Sequence, residues 1–388
     1  MVSERTREMT SFIVMDVLEK AYEMERNGTR IIHLEVGEPD FDAPQCVKEA
    51  AVRAIHDGYT HYTHSLGMLE LREAICDYYY RTYKVNVEPD QIAVSSGSSP
   101  AIFMLFAALL EAADEVIISD PHYACYPNFI NFVNGRCVRI PVYEEDGFQF
   151  RPEVIRENLS DRTKAIFINS PSNPTGNLLS AELMQAIADM DPYVVSDEIY
   201  HGLVYEGHER SILEFTNRAF VINGFSKQFA MTGLRLGYLI APKEFMRAIQ
   251  KVHQNFFISA NAAIQRAGIA ALRYAQDDVF RMRSIYDERR RYMINRLREI
   301  GFGITVEPTG AFYVFANAKR LSKDSYQLAF DILERAFVGV APGIDFGPHG
   351  EGYLRFSYTN SLENIKEGLD RLGKYVEQRG QDRFRTAN

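Results

Sequence analysis

At 388 residues the chain exceeds the length at which one hydrophobic core usually keeps growing, so two packed units are expected. Its 46% hydrophobic and 24% charged residues describe an ordinary globular composition, and a net charge of −9 with a pI near 5.6 lacks the basic face that nucleic acid requires. No apolar run approaches the length of a membrane span, and the polar, charged start from Met1 to Thr10 has no apolar core of a signal peptide.

In chain order, apolar residues at helical spacing over 12–27 (Ile13, Val17, Tyr22 and Met24 among charges) predict a helix that stops at Asn27-Gly28. A short strand over 31–36 runs into Gly37-Glu38-Pro39-Asp40, where glycine and proline mark a loop. A helix over 45–57 ends at Gly58. From Pro89 the rhythm becomes strand, helix, strand. Segments 92–95, 115–119, 136–141, 165–169, 194–196 and 219–223 read as short buried strands, with a helix over 100–111 and helical patterns between several of the others. This alternation predicts an α/β fold with a mostly parallel mixed sheet flanked by helices, in which ligands gather at the carboxyl ends of the strands. After 238–240 come long helices, one around 287–300, and then a smaller alternation of 310–315, 326–335, 338–341 and 353–358. The pattern divides the chain into a large domain over 46–284 and a smaller α+β domain over 285–388, with the N-terminal segment 1–45 joining the latter.

Cys46, Cys76, Cys125 and Cys137 are spread singly, without the paired spacing of a zinc site, and read as small core residues in a reducing compartment. The histidines form no HExxH-type pair, so no metal site is expected.

The predicted strand ends carry polar residues of a particular kind. Ser96-Gly97-Ser98-Ser99-Pro100 opens a helix whose free N–H groups could hold a phosphate, although serine and proline there are also ordinary capping chemistry. Asp120-Pro121-His122-Tyr123-Ala124-Cys125-Tyr126 brings an aromatic ring to the same rim, where Tyr123 could cover a planar cofactor, although an aromatic near a strand end is more often core. In Ser170-Pro171-Ser172-Asn173-Pro174-Thr175-Gly176 two prolines flank Asn173, whose amide can hydrogen-bond a phenolate oxygen or make its own turn. Asp197 stands at the end of a buried strand, where a carboxylate needs a cationic partner: a protonated pyridine nitrogen or a structural arginine. Finally, Ser226-Lys227 lies just beyond another apolar strand, with Arg235 two helical turns further on. A lysine desolvated beside fixed positive charge loses basicity and can form a Schiff base, so Lys227 is the first candidate for chemistry. A lysine, an acid for a ring nitrogen, donors to a ring oxygen, an aromatic cover and a phosphate cradle together describe a site for pyridoxal 5'-phosphate.

These runs resemble the fold-type I, class I/II aminotransferases, the aspartate-aminotransferase-like group. The resemblance extends from Leu34-Glu35-Val36-Gly37-Glu38-Pro39-Asp40-Phe41 to Tyr353-Leu354-Arg355-Phe356-Ser357. Its most specific parts are Asn173-Pro174-Thr175-Gly176, Ser196-Asp197-Glu198-Ile199-Tyr200, and Ser226-Lys227 with Gly233-Leu234-Arg235-Leu236-Gly237. It implies that Lys227 carries the cofactor and then moves the substrate proton, that Asp197 pairs with the pyridinium nitrogen, and that Tyr200 and Asn173 bond the ring oxygen. Tyr123 would stack on the ring, while Ser98, Ser99, Ser226 and Arg235 would hold the phosphate. Tyr62 would reach the phosphate of a neighbouring subunit, which makes a homodimer part of the expectation. Arg355, with its planar fork, would grip the substrate α-carboxylate near the backbone of Gly37. The large domain becomes the cofactor-binding domain of a cytoplasmic enzyme.

Ser99-Pro100 stands where some dicarboxylate-preferring members place a longer polar or basic side chain, and no second arginine suggests itself for a distal carboxylate. Phe12, Ile13, Phe256 and Phe257 are candidate pocket residues, with core packing as the equal alternative. The expected reaction moves the amino group of a neutral, hydrophobic or aromatic L-α-amino acid to a 2-oxo acid such as 2-oxoglutarate by a ping-pong route. The rivals are a carbon-sulfur β-lyase on the same scaffold and a non-catalytic cofactor-binding sensor. The sensor is disfavoured by the acidic charge and by a fold that begins near Met1.

Overall fold

The computed structural model describes residues 2–386. Among them, short apolar segments assemble into a seven-stranded sheet of order β2-β8-β7-β6-β5-β3-β4. Its strands are β2 (Ile92–Ser95), β3 (Glu115–Asp120), β4 (Arg136–Pro141), β5 (Thr163–Asn169), β6 (Tyr193–Asp197), β7 (Ala219–Gly224) and β8 (Gly237–Ile240). Only β8 runs against the others, pairing antiparallel with β2 and β7. Every residue of β7 is buried, as expected for a strand covered by helices on both faces. Two hydrophobic clusters, one around Leu71, Ile166 and Leu236, the other around Phe106, Phe167 and Phe220, occupy the two faces.

The order changes direction between β3 and β5. The chain moves one way through β5, β6 and β7 and the other way from β3 to β4. The loops after β3 and β5 therefore diverge, and their separation opens a crevice at the carboxyl edge of the sheet.

A second core, built on Tyr286, Phe312, Val314, Leu354 and Leu369, surrounds a three-stranded antiparallel sheet of order β11-β12-β9. Its strands are β9 (Tyr313–Asn317), β11 (Ala341–Pro342) and β12 (Tyr353–Ser357). Beside it, β1 (Ile32–His33) pairs in parallel with β10 (Val338–Gly339). The helix Ile13–Arg26 packs Val17 and Ala21 against Leu333 of this unit. The helix Gln276–Ile300 runs unbroken across position 284.

Several elements depart from their expected bounds for identifiable reasons. The strand expected over 31–36 is reduced to Ile32–His33, because beyond it the carbonyl of Leu34 turns to accept from Ser357 N–H at 2.7 Å. The segment 338–341 splits, one half pairing with β1 and the other with β12. The strand expected over 310–315 begins only at Tyr313, since Gly310 N–H bonds the carbonyl of Gly176 at 2.8 Å and Ala311 takes φ +55°. The helix Ser98–Leu109 starts earlier than Pro100, because proline is tolerated within a first turn that has no intrahelical N–H bonds to lose. Between Lys227 and Arg235 there is no pair of helical turns. Ala230 and Arg235 take φ +48° and +53°, and a short 3-10 turn folds the arginine back.

Candidate active site

The crevice holds a cavity of about 200 Å³ lined by Gly37, Ser98, Ser99, Tyr123, Asn173, Asp197, Tyr200, Lys227 and Arg355, residues brought together from seven separate stretches of chain. Phe12, Val14, Met15, Val36, Ile102 and Ile199 complete its apolar wall, and Tyr126, Asn169 and Tyr313 also line it.

Lys227 follows β7 and lies half-buried, its Nζ donating to the carbonyl of Gly37 at 2.7 Å. Burial lowers its pKa to about 8, and the positive charges of Arg355 and Arg235 act in the same direction against the carboxylate of Glu38. Its amine is thus far closer to neutrality at physiological pH than a solvated lysine.

Asp197 ends β6 and is 5% exposed. Its carboxylate accepts from Tyr126 Oη at 2.8 Å and from Ile199 N–H at 3.1 Å. Burial raises its pKa to about 6, the two hydrogen bonds and the Lys227 charge opposing. Among the described residues, no arginine or lysine forms an ion pair with it. Of the two partners expected from sequence, the structural arginine is absent, and the carboxylate faces the cavity.

Asn169, at the end of β5, fixes the neighbouring loop. Its amide donates to the carbonyl of Asp197 at 2.9 Å and its oxygen accepts from Asn173 N–H at 2.8 Å. The side chain of Asn173 then accepts from Arg355 Nη1 at 2.9 Å. Arg355, at the middle of β12 and 2% exposed, also donates from Nη2 to the carbonyl of Glu35 at 2.5 Å. Its Nε is buried without a partner. Tyr200 is buried, its hydroxyl 2.9 Å from that of Tyr313.

At the other end of the cavity, Gly97 precedes the helix Ser98–Leu109 with no side-chain cap, leaving the first N–H groups of the helix free. A Cβ on Gly97 would overlap the guanidinium of Arg235, so the helix start and the arginine can approach this closely only at glycine. Ser226 is buried immediately before Lys227. Tyr123, at the rim after β3, meets Phe12 edge-on at 5.9 Å between centroids.

Three expected pocket residues lie elsewhere. Phe256 and Phe257 pack on Phe103 at 5.7 and 6.1 Å, because their helix covers the outer face of Ser98–Leu109 rather than its first turn. Ile13 does not line the cavity, and its N–H donates to Asp345 at 2.9 Å, where that carboxylate caps the helix Ile13–Arg26. Tyr62 is 81% exposed and outside the lining of its own chain's cavity. Sequence reasoning missed Tyr126, which stands three residues after Tyr123 in the same run, and Tyr313, which lies within the strand expected over 310–315 and carried no signal of its own. No group of three or more potential metal ligands occurs among the described residues.

A sheet with its crevice at the strand ends, and a lysine, a buried unpaired acid and an anion-ready helix start within it, define a pyridoxal-phosphate enzyme of the aminotransferase fold. The family model Aminotransferase class I and II matches residues 29–372, and the chain belongs to that family. It is 42% identical over 380 residues to the (5-formylfuran-3-yl)methyl phosphate transaminase of Methanocaldococcus jannaschii, covering 97% of this chain and 100% of that one. It is 39% identical over 385 residues to an aspartate aminotransferase of Pyrococcus horikoshii, covering 97% of both. A crystal structure from Methanococcus jannaschii, described as similar in its active site to kynurenine aminotransferases, superposes with a TM-score of 0.91 at 41% identity, over 97% of this chain and 100% of that one. The protein is therefore a pyridoxal-phosphate-dependent aminotransferase.

The cavity fits that cofactor on its own evidence. The unpaired carboxylate of Asp197, the uncapped helix start at Gly97 with Arg235 beside it, and the lysine of lowered basicity match a cationic ring nitrogen, a phosphate and a carbonyl carbon.

Proposed function

We propose that this aminotransferase takes a neutral, hydrophobic or aromatic L-α-amino acid as donor and a 2-oxo acid such as 2-oxoglutarate as acceptor. One observation carries the reading. Beyond Lys227 and Arg355 the cavity lining holds no cationic side chain, and its open wall is Phe12, Val14, Met15, Val36 and Ile102. A distal carboxylate would lose its hydration there with nothing to replace it, whereas an apolar side chain gains by burial. The likeness to a structure whose active site resembles kynurenine aminotransferases supports the same choice, while the aspartate aminotransferase and the furanylmethyl phosphate transaminase, relatives named for anionic substrates, bound it.

Bound pyridoxal phosphate supplies an electron sink that makes the substrate Cα–H acidic. In the proposed reaction Arg355 holds the α-carboxylate by its planar fork, with Asn173 fixing the guanidinium's direction. The amine of Lys227 would hold the cofactor and, once displaced there by the substrate's amino group, would take the proton from Cα and return it on the cofactor side. Asp197 keeps the ring-nitrogen proton in place, and Tyr200 and Asn173 donate to the ring oxygen. Ser98, Ser99, Ser226 and Arg235 bind the phosphate, and Tyr123 covers the ring. Residues 46–284 serve cofactor binding, and 1–45 with 285–388 close over the substrate. Tyr62, exposed in its own chain, completes the phosphate site of a homodimeric partner in the cytoplasm.

The test is a set of half-reactions, in which the holoenzyme is mixed with single amino acids and the cofactor's visible absorbance is followed. Phenylalanine, tyrosine, leucine and alanine are expected to bleach it faster than aspartate or glutamate. Faster bleaching by the dicarboxylic amino acids overturns the assignment.

A further inference from the structure

We propose that Tyr313 is a positioning residue that ties the cofactor-facing phenol of Tyr200 to the carboxylate-binding guanidinium of Arg355, an inference that rests on the roles given to those two side chains above. Tyr313 opens β9 and pairs in register with Ser357, two residues beyond Arg355 on β12. Alternation along the strands therefore sets the ring diagonally across from Arg355 on the same face. The guanidinium carbon lies 4.3 Å from the centroid of the Tyr313 ring and 4.8 Å from that of Phe346. The Tyr313 hydroxyl is 2.9 Å from the Tyr200 hydroxyl, and the residue is 2% exposed.

Gly37 is shaped around the same phenol. A Cβ at position 37 would overlap the Tyr313 hydroxyl, so the loop that offers its carbonyl to Lys227 can sit there only without a side chain. One ring thus stands beside the lysine's acceptor, the Tyr200 phenol and the arginine. The titratable and charged groups facing it are Tyr200, Arg355, Tyr123 and Lys227.

Each contact has a distinct consequence. A hydroxyl has one hydrogen to give. When Tyr313 donates to Tyr200, the Tyr200 hydrogen is left free to point at the cofactor ring oxygen and is polarised by the bond it receives. The face of the ring, in contrast, attracts the guanidinium without consuming any N–H donor. Arg355 keeps Nη1 on Asn173, Nη2 on Glu35 and an unpartnered Nε, and the ring holds its plane while a carboxylate arrives.

Two variants separate these contacts. Tyr313→Phe keeps the ring and removes the hydroxyl, and Tyr313→Leu removes both. The holoenzyme is titrated with pH while the cofactor's visible absorbance is followed, and KM and kcat are measured for the preferred amino acid. Tyr313→Phe is expected to raise the absorbance midpoint by about half a pH unit, because a weaker donor at the ring oxygen lets the cofactor hold its proton to higher pH. Its KM stays within about twofold of the parent, the ring support being intact. Tyr313→Leu is expected to show the same midpoint rise and a KM about tenfold higher. Tyr313→Met replaces it if the leucine variant does not fold. An unmoved midpoint in Tyr313→Phe, or a KM raised as much in Tyr313→Phe as in the leucine variant, overturns the proposal. A parent enzyme that titrates normally but transfers no amino group from any amino acid defeats the function proposed above instead, and the Tyr313→Phe midpoint still decides this inference.

Discussion

Asp197 and Glu198 are consecutive, both buried, and lie on opposite sides of one strand end. On the cavity side, Asp197 has two donors, Tyr126 Oη and Ile199 N–H, and a carboxylate edge open to the crevice. On the far side, Glu198 is fully satisfied: it accepts from Ile212 N–H and Ser211 Oγ at 3.0 Å, Ser196 Oγ at 3.2 Å and Tyr79 Oη at 3.3 Å. Tyr83 and His201, 2.6 Å apart, seal that side further. Burial raises both acids, Asp197 to about 6 and Glu198 to about 8. A perturbed carboxyl is therefore no sign of function here by itself. What separates the two is the hydrogen-bonding capacity left unused: the far side is closed by the chain's own donors, and the near side is left for a cationic ligand.

If the division is right, changes on the cavity side remove chemistry and changes on the sealed side alter stability. The largest effect is expected from Lys227→Ala, which should lower turnover by about 10⁴-fold or more and abolish the cofactor's covalent absorbance signature, read by stopped-flow spectroscopy. Turnover within tenfold of the parent would break the comparison at once. Asp197→Ala comes next, with cofactor affinity and kcat each expected to fall by about a hundredfold as the ring nitrogen loses its buried anionic partner. The measurement is equilibrium cofactor binding by fluorescence alongside steady-state kinetics. Arg355→Lys keeps the charge but loses the fork, and KM for the amino acid should rise about tenfold to a hundredfold with a smaller change in kcat.

Glu198→Gln should leave kcat within about tenfold of the parent and instead change how stability depends on pH. A carboxyl whose folded pKa is raised favours the fold below its unfolded value of 4.5 and loses that contribution as pH climbs through about 8. The parent's stability is thus expected to decline between about pH 5 and about pH 8, on the order of several kcal/mol in all, and the glutamine variant should lack most of that decline. Thermal unfolding across this range measures it, and parallel curves for the two proteins would mean that the far side carries no such load.

Much of this site is legible in the sequence alone. Asn173, Asp197, Lys227 and the serine turn lie within a few residues of strand ends, and the strands announce themselves as apolar runs between turns. Such information is local, so sequence carries it. Tyr313 and Tyr126 were not legible as site residues, because an aromatic in or beside an apolar run looks like core until its hydroxyl is seen to find Tyr200 or Asp197. Phe256 and Phe257 failed the opposite way. Their apolar character was plain, but which face of which helix they cover depends on how Lys243–Phe256 packs on Ser98–Leu109.

By itself the sequence determined the alternation of strands and helices, the order of the polar turns along the chain, and through them the cofactor and the family. Each of these rests on short-range patterns of side-chain polarity and on glycine and proline at defined places. Only the tertiary structure decided which of two adjacent buried acids faces the cavity, that Arg235 returns to Gly97 through a turn rather than a helix, and that Arg355 is held between Asn173 and Tyr313. Those outcomes depend on contacts between residues far apart in the chain, 71 positions for Tyr126 and Asp197 and 182 for Asn173 and Arg355, whose geometry is fixed by the packing of two cores and is written in no single segment.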